Sequence, residues 1–209
     1  MRTELRAGVA IYNAGEYHAA HDAWEDRWLD LETGTDDERL LHGLIQFTAV
    51  LYHARGNNWE GLAGLVASAR EYLADLPPNY RDANVDEVRI YLDALHADPE
   101  HVERSSPPAL THEGELLELD DLRFETAAVA AKVFAEERAR FEEAPIERAI
   151  EYARADLEDD TGDSPFVALV MDFATGEGGR DLVYQRLRQH VDRRTSEEAD
   201  VEGLFGGDR

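Results

Sequence analysis

The residues best suited to chemistry lie in the first quarter of the chain, in the run Tyr17-His18-Ala19-Ala20-His21-Asp22-Ala23-Trp24-Glu25-Asp26-Arg27-Trp28. On a helix turning 100° per residue, Tyr17, His21, Trp24, Glu25 and Trp28 share an arc of about 100°. Trp24 and Trp28 mark its buried side. His21 and Glu25, four residues apart at the edge of that arc, can address one common atom. His18 and Asp22 fall further round, toward solvent. A second polar stripe follows: His42, Gln46, Ala49 and His53 occupy one narrow helical face, with Arg39 close to it. The other faces carry Leu40, Leu41, Leu44, Ile45, Phe47, Val50 and Leu51. Such a helix belongs in the middle of a bundle. Its polar groups must be met, because each one left unpaired in the interior costs about 1–3 kcal/mol.

A connection of about five residues makes these two helices antiparallel neighbours. Their polar stripes then face each other and enclose a pocket of His21, Glu25, Gln46 and His53, with His42 and Arg39 beside it and Trp24 and Trp28 as walls. His21, Glu25 and His53 form a two-histidine, one-carboxylate set with open coordination positions. A metal there would act as a Lewis acid or activate water. With no thiol available, Zn²⁺, Fe²⁺, Mn²⁺ and Ni²⁺ are the fitting ions. The same residues suit a buried hydrogen-bond network that fixes helix register, or a metal-free pocket for a small ligand. The sequence assigns no nucleophile and no acid–base cycle, so whether the protein is an enzyme stays open.

The elements that position these residues are helical almost throughout. Apolar periodicity predicts helices over 3–14, 16–31, 37–55, 58–75 and 84–97, with Gly15, Gly34 and Pro77-Pro78 as breaks. Asn57 and Asn58 are read as C-cap chemistry, and Trp59 as a packing residue. The proline- and charge-rich stretch 98–108 reads as a boundary. A small β-hairpin is expected around 109–119, turning at Glu113-Gly114. Helices return over 121–143, 145–158, 164–175 and 179–194. The stripe of Phe124, Phe134 and Phe141 reads as core or as a dimer face. The fold class is all-α: a helical bundle over 1–98, a C-terminal helical region over 109–194, and an acidic tail over 195–209 read as disordered. His96, His101 and His112 near turns, and His190 on the last helix, read as solvated.

Composition removes several functions. The 209 residues hold 46 acids and 21 bases, a formal charge of −25, and no cysteine. A surface this negative excludes nucleic acid and anionic membrane as partners. Zero cysteine excludes disulfide scaffolds, zinc ribbons and thiol catalysis. With 43% hydrophobic and 9% aromatic residues the chain is globular. No run of acids exceeds three, so there is no acidic arm. A folded chain of this mass exposes roughly 9,800 Å², or about one acid per 210 Å². Such a surface repels itself unless salt screens it, and the Debye length at 1 M is about 3 Å. Lys132 is the only lysine. Acids against arginine rather than lysine read as adaptation to the salt-saturated cytoplasm of a halophilic archaeon. No stretch reaches 18 apolar residues, and the first residues carry no signal-peptide core, so the expected location is the cytoplasm.

The pattern His21-x-x-x-Glu25-x-x-Trp28 resembles the signature of the domain-of-unknown-function family numbered 309. The likeness includes Tyr12-Asn13-Ala14-Gly15-Glu16-Tyr17 upstream, Gly43-Leu44-Ile45-Gln46 downstream, and His53, Gly56-Asn57 and Gly61. It covers roughly residues 8–75. It implies a small all-α domain, a haloarchaeal-type member here, whose His/Glu motif holds metal; it implies no established activity. Asp22 stands where the family often has Glu, and Leu62 replaces a usual Ala. Three functions remain: a metal-dependent enzyme on a small molecule, a non-catalytic metal- or ligand-binding module, and a helical assembly module, homo-oligomer included, whose polar stripe is structural.

Overall fold

The computed structural model describes residues 1–56, 61–160 and 162–205, the side chains of 202–205 excepted. The readings of Asn57, Asn58 and Trp59 lie outside the described residues. Two compact units divide the chain, 1–122 and 123–209.

The first unit contains helices α1 (Arg2–Asn13), α2 (Tyr17–Leu29), α3 (Asp36–Arg55), α4 (Leu62–Leu73), α5 (Val85–Ala97) and the single turn α6 (His101–Arg104). A two-stranded antiparallel hairpin follows, β1 (Thr111–His112) and β2 (Glu115–Leu116). Consecutive helices from α1 to α5 pack on one another. Short connections between amphipathic helices require this, because each must bury its apolar stripe against its neighbour. Gly15, at φ +81°, makes the tight reversal from α1 into α2. Thr35 caps α3, its hydroxyl accepting from the Glu38 N–H at 3.3 Å. As its composition demanded, α3 is central: Leu40, Leu41, Leu44, Phe47, Val50 and Leu51 are all buried.

Two glycines set how closely these helices approach. A Cβ on Gly8 would lie 2.1 Å from the Trp24 Nε1, and one on Gly43 would lie 2.4 Å from a Leu73 methyl. Trp24 thus lies across α1, fully buried, with its Nε1–H donating to the Leu5 carbonyl at 3.3 Å.

The hairpin is held by side chains of the helical bundle. Asn13 donates to the carbonyls of Leu110 (2.8 Å) and Leu117 (2.9 Å) and accepts from the Leu110 N–H (2.9 Å). Tyr12 donates to the Pro108 carbonyl at 2.9 Å. Asn84 donates to the Ala109 carbonyl and accepts from the Thr111 N–H. These bonds tie residues 108–117 to the helical bundle, and the first compact unit runs to Leu122, past the expected opening of the C-terminal region at 109.

The second unit holds α7 (Phe124–Glu136), α8 (Glu143–Glu158), α9 (Pro165–Thr175) and α10 (Arg180–Phe205). Its core includes Phe134, Phe141, Ile146, Phe166, Phe173 and Leu187; Phe124 is half-buried. Buried Asp156 ties three helices together, accepting from Ser164 and from Arg194, both at 2.6 Å. The last helix does not stop at 194 but runs to Phe205. Tyr152 reaches Thr195 (3.0 Å) and donates to Glu198 (2.8 Å), giving that extension tertiary anchors that periodicity does not reveal. Residues 206–209 of the expected disordered tail lie outside the described residues. The architecture is all-α with one very small hairpin.

Candidate functional site

The chemistry-bearing residues of α2 and α3 do not share a single pocket. They form two clusters.

The first lies on α2. His18, His21, Asp22 and Glu25 span about 100° of the helix circumference. Asp22 bridges both imidazoles, its Oδ2 lying 3.1 Å from the His18 Nδ1 and its Oδ1 2.9 Å from the His21 Nδ1. His21, Asp22 and Glu25 are each half-buried, and each offers a ligand atom within 4.8 Å of the other two. The hydrogen bond to Asp22 raises the His21 pKa; burial opposes that, and the charges of Asp22 and Glu25 reinforce it. The two imidazoles lie 5.9 Å apart, and the ring of exposed Tyr52 on α3 meets His18 at 5.4 Å.

His53 does not join His21 and Glu25 in that group. It is half-buried on α3, with its ring 5.9 Å from that of Tyr52. Asp22, which the helical wheel had assigned to solvent, takes the position expected of His53. The reason is rotational. Trp24 packs its indole against Gly8 of α1 and donates to the Leu5 carbonyl, and the Asp22 side of α2 carries the cluster. Trp24 is therefore part of the core, with no exposed surface.

The second cluster joins α2, α3 and α4 and contains an acid that periodicity did not single out. Glu38 is only 6% exposed. Its carboxylate accepts from the Trp28 Nε1–H (3.0 Å) and the Gly34 N–H (3.2 Å), and meets the His42 Nδ1 at 3.2 Å. Burial works to raise the Glu38 pKa, but the hydrogen bonds from Trp28, Gly34 and His42 outweigh it and hold the group below its ordinary value. The His42 ring is flanked by Tyr72, stacked at 3.8 Å, and by Trp28 at 4.5 Å. Arg39 turns to the acids Asp75 (3.2 Å) and Asp36 (3.9 Å). Gln46 is half-buried on the same helix. The sequence did hold a signal for Glu38: it precedes His42 by four residues, the spacing already used for His21 and Glu25.

One histidine expected in solvent is in the core. His112 of β1 is 2% exposed, and its Nδ1 lies 3.1 Å from the Arg6 guanidinium. An arginine can only donate, so the Nδ1 accepts and the ring is neutral. Burial pushes the His112 pKa down, the Arg6 charge adds to this, and Glu113 partly offsets it. Above the ordinary value of 6.5 both folded and unfolded chains hold neutral imidazole. Below it the unfolded chain takes up the proton first, so stability falls, at most by about 1.4 kcal/mol per pH unit, until the folded pKa is passed. His21 has the opposite sign: its raised pKa adds stability below 6.5 that is lost as pH rises through the folded value. In urea titrations between pH 7 and 5, His112→Gln is expected to flatten the acid-side loss relative to wild type. An unchanged slope would show that His112 titrates as it does in the unfolded chain.

Among the described residues no helix is long and apolar enough to cross a membrane. Residues 5–65 match a family model described as "Domain of unknown function (DUF309)". The chain is also 28% identical over 91 residues to an "Uncharacterized protein" of Aquifex aeolicus (strain VF5), over 44% of this chain. That match spans 27% of the relative's length. The match to the family model contains both clusters except Tyr72. Within the matched residues, Tyr12 and Asn13 secure the hairpin, Gly15 makes a turn, and His21 and Glu25 belong to the α2 cluster.

Proposed function

We propose that the first unit is a divalent-metal-binding module whose ligands are His21, Asp22 and Glu25 on α2. The observation that carries this reading is the convergence of one nitrogen and two carboxylate donors within 4.8 Å of one another. Ligands 2.0–2.2 Å from an ion stand about 3–3.5 Å apart, so modest rotamer changes would close the set. One imidazole and two carboxylates suit Zn²⁺, Fe²⁺, Mn²⁺ or Ni²⁺, and a three-ligand set leaves positions for water or a small molecule. His21 binds metal only when deprotonated, so its raised pKa makes proton and metal compete.

Isothermal titration of the full chain in molar KCl, with Zn²⁺, Mn²⁺ and Ni²⁺ in turn, is expected to give one site for at least one ion. His21→Ala and Glu25→Ala should each weaken it at least about 100-fold, and His53→Ala should leave it unchanged. Affinity should fall as pH drops through the His21 titration. No binding by any of the three ions, or equal binding by wild type and His21→Ala, would leave the alternative in which Asp22 simply pins two imidazoles as a structural network. Molar salt screens the charge of −25, which with the single lysine fits a protein of saline cytoplasm. A turnover screen with the loaded protein separates an enzyme from a non-catalytic binder.

A further inference from the structure

The second cluster has the parts of a carboxylate-oriented imidazole. Glu38 is buried and receives hydrogen bonds from Trp28, Gly34 and His42. An ionised carboxylate only accepts, so the His42 Nδ1 must donate to it. That fixes the tautomer and leaves the lone pair of the neutral ring on Nε2. Trp28 and Tyr72 flank the ring and limit its rotation. The His42 side chain remains 17% exposed. Its Nε2 makes no hydrogen bond to a described residue, yet it is not enclosed as an unpartnered buried atom. An imidazole held by a carboxylate on one nitrogen, with the other open to solvent, is the arrangement that makes histidine an effective base or nucleophile.

We infer that His42 is a nucleophilic imidazole toward activated acyl esters, with Glu38 as its positioning residue. The Nε2 lone pair forms a bond to the acyl carbon while the phenolate or alkoxide leaves with the electron pair of the broken C–O bond. The resulting acyl-imidazolium keeps its Nδ1 proton on Glu38, whose negative charge offsets the new positive charge. Water then adds to the acyl carbon, the C–N bond returns its pair to Nε2, and the carboxylic acid and one proton pass to solvent. No metal, oxidant or reductant takes part, so this chemistry is independent of the α2 site.

The test uses 4-nitrophenyl acetate with the metal-free full chain, following nitrophenolate release and acetylation of each histidine by mass spectrometry. His42 is expected to be acetylated about tenfold faster than exposed His96, and His42→Gln to abolish that fraction of the release. Glu38→Gln keeps the side chain's size but removes its charge, and should slow labelling of His42 about tenfold. A measurement on wild type alone guards against an unfolded variant. The ¹⁵N shifts of the His42 ring should report the proton on Nδ1, and in Glu38→Gln the Nε2–H form should grow. Labelling of His42 no faster than His96, a Glu38→Gln rate equal to wild type, or a wild-type ring protonated on Nε2 would each overturn the inference.

Discussion

Trp24→Ala is expected to lower the unfolding free energy by about 3–5 kcal/mol, the range for removing a fully enclosed large aromatic side chain. Trp24 is 0% exposed and lies on Gly8 of α1, so its loss leaves a cavity that two packed helices cannot close. Gly8→Ala should be damaging for the complementary reason. Its new Cβ would lie 2.1 Å from Nε1, 2.2 Å from Cε2 and 2.7 Å from Cδ1 of the indole, so α1 must move away at a cost of about 1–3 kcal/mol. All three near contacts are indole atoms, which makes the pair strongly coupled. In a Trp24→Ala background the clash disappears, and Ala at position 8 gains about 1 kcal/mol of helix propensity over Gly. Gly8→Ala should therefore change from destabilising to neutral or stabilising. Urea denaturation of the four proteins in the cycle checks this. Simple additivity would mean that the α1–α2 approach is set by something other than this contact.

Asn13→Ala carries the second large effect, about 2–4 kcal/mol. Its amide meets three main-chain groups of the hairpin segment: the Leu110 carbonyl and N–H, and the Leu117 carbonyl. Alanine would leave these groups without that partner, at about 1–3 kcal/mol for each that stays buried, with water recovering part of the loss. The effect should also be local. Hydrogen exchange is expected to accelerate across 108–117 well before α3 and α4 lose protection. Uniform acceleration over the whole unit would show that the hairpin is part of the global folding unit rather than clamped on it.

Asn13 also shows where reading the sequence succeeded and where it stopped. The family resemblance marked Tyr12, Asn13 and Gly15, and Gly15 is the turn its residue type suggested. Its partner lies about a hundred residues away, and no local pattern connects Asn13 with Leu110 and Leu117. The same limit applied to His112. Beside a Glu-Gly turn it looked exposed, and only the packing of β1 against α1 and Arg6 encloses it. Most helix spans, by contrast, were legible to within a few residues, because apolar spacing and capping are local properties; the exceptions are α7, which ends at Glu136 rather than 143, and α10, which runs well past 194 to Phe205. Even the hairpin was visible from Glu113-Gly114, both at positive φ.

The candidate site was half legible for a related reason. Helical spacing alone brought His21 and Glu25 to one edge of α2, and His42 onto one stripe with Arg39 and Gln46. It could not say how far each helix is rotated about its own axis. That rotation is fixed between helices, by the indole of Trp24 under Gly8 and by the Leu73 side chain against Gly43. With α2 turned that way, Asp22 rather than His53 completes the α2 cluster, and Trp28 reaches forward to Glu38. The amino-acid sequence by itself determined an acidic, cysteine-free, all-α protein with its polar exceptions on α2 and α3. Tertiary structure decided which of those exceptions meet, because a helix carries its periodicity within itself but takes its register and rotation from what it packs against.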